Sequence, residues 1–146
     1  MEELSALIPR YSLAASVRAL AACNETTARF GLTLSSEQMT ALAEGRLRAL
    51  RDTGRVEFGE GILPRLVLAF CDSPYLDQAD YAETLLTLQE VFLYKNAFCD
   101  QISDDSLLKR MRHTFDKRAH GAAEYLAGMT PAELLERREE PADDEL

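Results

Sequence analysis

From about Asp80 to Tyr94 the apolar residues recur with a helical rather than an extended period. At about 100° per residue, Tyr81, Leu85, Leu88 and Phe92 fall on one stripe, and Leu86 and Leu93 widen it. A helix apolar over more than half its circumference belongs at the centre of a fold, so the other elements must cover it. Residues 62–71 are the nearest candidate cover. Leu63, Leu66, Val67 and Phe70 give them a broad apolar arc, and Pro64 is tolerable in a first helical turn. Asp72-Ser73-Pro74 breaks the chain after them. Residues 62–71 and 80–94 are therefore expected to form a core helical hairpin.

The remaining punctuation is also helical. Ser12 precedes Leu13, Val17 and Leu20, which share one face of a first helix running to about Cys23. Asn24 and Thr27 read as the cap and first turn of a short helix stopped by Gly31. Ser35-x-x-Gln38 is a capping box, followed by Met39, Leu42, Ala43, Leu47 and Leu50 on one stripe up to Gly54. Ser103 caps a helix through Leu107, Leu108, Met111 and Phe115, with Asp104 and Asp105 at its positive end. Ala119–Ala127 reads as a short helix ending at Gly128. Thr130-Pro131-Ala132-Glu133 then opens a last helix that ends near Arg138. Only Arg55-Val56-Glu57-Phe58, alternating polar and apolar between Gly54 and Gly59, reads as extended, as a short strand would. The expected fold is all-α: an irregular bundle of six to seven short helices around the central hairpin, with at most one short extended segment. Residues 1–138 make a single helical domain, and residues 139–146, Glu-Glu-Pro-Ala-Asp-Asp-Glu-Leu, an acidic flexible tail.

Composition narrows the partners. With 25 acidic and 16 basic residues the net charge is −9, which repels phosphate backbones at long range and disfavours nucleic acid as a partner. No apolar run approaches the ~18 residues of a membrane span, and the start lacks a basic leader, so a cytoplasmic protein with no membrane partner is expected. Cys23, Cys71 and Cys99 are odd in number and widely spaced, and they read as small buried hydrophobes rather than a disulfide framework or zinc site.

Several polar sets are candidates for chemistry. His113, Asp116, His120 and Glu124 would share one face if helix ran through them. His113 and His120 would then stand roughly 10 Å apart along the axis, too far for one metal. Asp72, Asp77, Asp80 and Glu83 sit where acids cap helices, and they lack the calcium-loop pattern. Gly54 to Gly61 has neither a dinucleotide nor a Walker pattern, and Glu60 would repel an anion. The basic sets Arg46, Arg48, Arg51, Arg55 and Lys109, Arg110, Arg112, Lys117, Arg118 read as solvated helix faces. No catalytic residue, metal site or cofactor is assigned. Arg46 is singled out as a structural polar anchor: it lies in an apolar stripe between Leu42 and Leu50. There it either snorkels to the rim or pairs with an acid such as Glu57, Asp72 or Glu90.

Five segments carry a family resemblance: Cys23-Asn24-Glu25 with Phe30-Gly31-Leu32; Gly54 to Gly59 through Ile62-Leu63; Ala69 to Tyr75; Glu83-Thr84-Leu85; and His120-Gly121 with Glu124 to Gly128. Across about residues 12–138 the chain resembles an uncharacterised, domain-of-unknown-function family of small proteins from anaerobic Gram-positive bacteria. The resemblance implies a bacterial, cytoplasmic single domain and transfers no activity. Two functional expectations follow. The first is a non-enzymatic protein-interaction or adaptor protein acting in a cytoplasmic complex, its partner being a second copy or another chain. The alternative is a small-ligand-binding protein or enzyme with a site near Arg55, Glu57, Asp72 and Tyr75, on loops beside the core hairpin.

Overall fold

A computed structural model describes residues 2–97 and 102–135, with side chains from Leu13 to Leu134. Cys99, the end of the last helix and the acidic tail lie outside the described residues. Among those described, seven α-helices and no strand are present: α1 (Glu2–Thr27), α2 (Ser36–Thr53), α3 (Leu63–Phe70), α4 (Tyr81–Asn96), α5 (Asp104–Lys117), α6 (Ala123–Ala127) and α7 (Pro131–Leu135). The fold is an all-α bundle.

The helices close a circuit. α1 packs on α2, α2 on α4, α4 on α6, α6 on α5, α5 on α3, and α3 returns to α1. The periodicity of α4 explains its place: Leu85, Leu88, Phe92 and Leu93 are fully buried, with Tyr81 and Val91 close behind. α3 buries Leu63, Leu66, Val67 and Phe70. Both helices of the expected hairpin thus lie in the core and touch, but their broad contacts diverge, α4 towards α2 and α6, α3 towards α1 and α5. Gly45 leaves room for α4 against α2: a Cβ there would stand 3.1 Å from Leu86 Cδ1 and 3.2 Å from Gln89 Nε2.

Three boundaries differ from the sequence expectation: α1 already starts at Glu2, ten residues before Ser12, and two others differ for local reasons. α1 runs unbroken through Asn24 to Thr27, and a single 3-10 turn, Ala28–Phe30, leads to Gly31. Asn24 caps nothing; its amide donates to the Leu34 carbonyl and accepts from the Leu34 N–H, both at 3.0 Å, which ties α1 to the approach of α2. At the other end, helix does not run through residues 119–122. α5 stops at Lys117, and the Gly121 N–H returns to the Phe115 carbonyl at 2.9 Å. Gly121 is left-handed (φ +90°), and a Cβ there would lie 2.7 Å from Tyr75 Cβ, so only glycine lets this turn close on the Tyr75 loop. The helix starts behave as their sequences require. Ser35 and Gln38 complete their capping box, Ser103 accepts from the Ser106 N–H, and Thr130 and Glu133 cap each other.

Candidate functional site

Between α2 and α3, residues 54–58 belong to no helix and pair with no strand among the described residues, and residues 59–62 turn into α3. The alternation of residues 55–58 is resolved with charge inward and hydrophobe outward. Val56 is 74% exposed and Phe58 86%, whereas the Glu57 side chain is only 6% exposed. The cause is Arg46. Its place on the buried face of α2 takes the guanidinium wholly out of water, where an unpaired charge would be prohibitive. Glu57 answers it: Arg46 Nε donates to Oε1 at 2.9 Å, while Nη1 donates to Ser16 Oγ at 2.8 Å and to the Gly59 carbonyl at 3.0 Å. Ser16 is itself fully buried on α1.

The second oxygen of Glu57 extends the network. Arg55 Nε donates to it at 2.9 Å, and Arg55 Nη2 donates to Asp104 at the start of α5 at 3.0 Å. The Arg55 guanidinium also stands 5.4 Å from the Phe92 ring centroid, within cation–π range. Partial burial opposes the Arg55 charge, but its two carboxylate bonds outweigh this and raise its pKa. A chain of charge-assisted bonds thus runs from α1 through α2 and the loop to α5, and Val56 and Phe58 stand outward from it.

A second polar cluster closes the far end of α5. Arg112 donates to Asp72 and Asp116 at 2.7 Å each and to the Ala69 carbonyl at 2.9 Å. Ser73 donates to Asp116 at 2.8 Å and accepts from the Tyr75 N–H. The Tyr75 ring lies against His120, centroids 5.9 Å apart. The Arg112 hydrogen bond holds the Asp72 carboxyl below the usual carboxylate range.

Between the two clusters α3 and α5 border an open groove of about 700 Å³. Arg65, Lys109, Arg112 and Lys117 give it positive charge, Asp105 and Asp116 negative, and Leu68, Ala69 and Leu108 an apolar floor. Arg65 pairs with Asp105 across it.

The four residues proposed as a binding site therefore fall into two places. Arg55 and Glu57 meet in one ion network, Asp72 and Tyr75 belong to the other cluster, and their α5 partners Asp104 and Arg112 are eight residues, about 12 Å, apart. None of the four lines the groove. Arg46 is buried, and Glu57, among the acids considered for it, is the one it meets. The His113 stripe is dispersed by the turn after α5. His113 lines the groove, Asp116 serves Ser73 and Arg112, His120 faces Tyr75, and Glu124 is exposed on α6. Asp80 occupies the N-cap position of α4 without a side-chain cap bond. Cys23 and Cys71 are buried, and burial pushes both thiols up. Among the described residues no three His, Cys, Asp or Glu side chains converge as a metal would require. No helix among them is long and apolar enough to cross a membrane.

Sequence reasoning missed the outward display of Val56 and Phe58 and the exposure of Leu68, which is 45% open on α3. A signal for the first existed: a carboxylate drawn inward to Arg46 from an alternating segment forces its neighbours outward.

What the fold and these clusters define is an all-α domain with an ion-anchored, apolar-tipped loop and a partly cationic groove. The chain belongs to a family of unknown function, DUF6323, whose profile matches residues 19–140. No curated protein and no solved structure matches it.

Proposed function

We propose that this chain is a non-enzymatic protein-interaction or adaptor protein acting in a cytoplasmic complex, in bacteria of the anaerobic Gram-positive group its motifs resemble. One observation carries the reading. Val56 and Phe58 are 74% and 86% exposed on a loop whose charged residues are fixed by a buried ion pair. Water does not favour that arrangement of a valine and a phenylalanine, and a partner that covers them gains their burial, roughly 1.5–3 kcal/mol for each full side chain. Because the loop is already held by Arg46 and Arg55, little ordering entropy opposes association. Aromatic anchors of this kind are what binding hot spots are made of.

The test is affinity capture from the native host with the tagged full chain and with a Val56→Ser, Phe58→Ser double variant. The double variant should melt as the wild type does, since surface substitutions of this kind stay within about 0.5 kcal/mol. It should lose at least tenfold in recovery of the main co-purifying protein. Equal recovery by both chains, or no co-purifying protein with either, would overturn the reading.

A further inference from the structure

The charge of the α3–α5 groove runs against that of the molecule. Four of its lining residues are cationic and two are carboxylates, in a chain of net charge −9. The carboxylates are already engaged, Asp105 by Arg65 and Asp116 by Arg112, which also holds Asp72. Lys109 and Lys117 are exposed, and neither has an ion-pair partner among the described residues. They are eight residues apart on α5, about 12 Å along its axis. The apolar floor is Leu68, Ala69 and Leu108, of which Leu68 is 45% open to water.

We infer that this groove binds an acidic segment of a partner protein, with two carboxylates flanking one apolar side chain. The spacing makes the chemistry specific. In an extended segment, residues i, i+2 and i+4 share one face, and four steps of about 3.3 Å cover about 13 Å. An acid at i meets one lysine, an acid at i+4 meets the other, and an apolar side chain at i+2 covers Leu68. The recognised pattern is acid-x-apolar-x-acid. Single-stranded nucleic acid is a poorer match. It needs aromatic stacking surfaces, whereas no Phe or Tyr lines the groove. The inference rests on the reading of the chain as a protein-interaction module, but on a different surface from the Val56–Phe58 loop.

A random 12-residue peptide display library panned on the full chain tests it, followed by fluorescence anisotropy of the enriched peptides. Enriched sequences should carry acid-x-apolar-x-acid, and their affinity should fall as salt is raised. Lys109→Glu with Lys117→Glu should weaken them at least tenfold, as should Leu68→Glu, with unchanged melting temperature. The milder Lys109→Gln with Lys117→Gln should weaken them in the same direction, and Val56→Ser with Phe58→Ser should leave them unchanged. No enrichment, neutral or basic enriched sequences, or indifference to both lysines would overturn the inference. Binders sensitive only to Val56 and Phe58 would also overturn it while supporting the loop reading. Tighter binding of a single-stranded oligonucleotide through the same lysines, or self-association abolished by their substitution, would assign the groove to a different occupant and overturn it as well.

Discussion

Arg46 and Glu57 are held together over Gly61. The glycine is left-handed (φ +66°), and a Cβ on it would stand 2.1 Å from Glu57 Oε1 and 2.6 Å from Arg46 Nη2. Gly59, two residues earlier, is also left-handed (φ +59°) but has open space around it. The pair makes a controlled comparison. Gly59→Ala meets only the backbone penalty, about 1–2 kcal/mol. Gly61→Ala meets the same penalty and also pushes a carboxylate off a buried guanidinium, the kind of loss that costs about 3–5 kcal/mol when complete. Urea denaturation should find Gly61→Ala the less stable by at least about 2 kcal/mol. Arg46 was legible in the sequence as a charge in an apolar stripe. Which acid would answer it was not, because Glu57, Asp72 and Glu90 are equivalent until the loop's path is known. In the structure Asp72 is on Arg112 and Glu90 is exposed, which leaves Glu57.

Among elements, α5 organises the surface: its first turn holds Arg55 and Arg65, its last holds Ser73, and its length borders the groove. Its start depends on Ser103, whose hydroxyl accepts the Ser106 N–H at 3.1 Å. Ser103→Ala should cost about 1 kcal/mol of global stability, read as a lower urea midpoint with unchanged slope. The starts of α2, α5 and α7 were readable because a cap is a local hydrogen bond between neighbours in sequence. The end of α1 was misread because Asn24 answers to Leu34, ten residues on, and residue type does not reveal which backbone group a side amide will find. The start of α6, expected at Ala119 and found at Ala123, was misread for a similar reason, since the turn before it depends on Tyr75 approaching Gly121. The hairpin expectation placed both helices in the core, yet adjacency in sequence did not translate into their broadest contacts, because residues 71–80 carry the chain far enough for α2 and α6 to take the faces of α4.

For the whole molecule, the sharpest solution signature lies on the alkaline side. Burial pushes the Tyr81 phenol up to about 12, and Cys23 and Cys71 are also raised by burial. An acid whose folded pKa is raised lends stability that is fully present below its unfolded value and is lost as pH rises through the folded one. Stability should therefore decline from about pH 9–10 upward, with Tyr81 contributing on the order of 2 kcal/mol by pH 12. Thermal melts between pH 7 and 11 check the slope, and Tyr81→Phe should flatten it above pH 10. The polar bridge from Ser16 to Asp104 has one more consequence, a thermodynamic one. It spans α1, α2, the loop and α5, so the pose of Val56 and Phe58 is coupled to the docking of all four. Linkage makes this reciprocal: a partner that recognises the posed loop must tighten the attachment of α1, by RT ln(1 + [L]/Kd) when it binds nothing else. Hydrogen exchange along the second half of α1, some distance in sequence from any residue the partner touches, would then report occupancy of the loop.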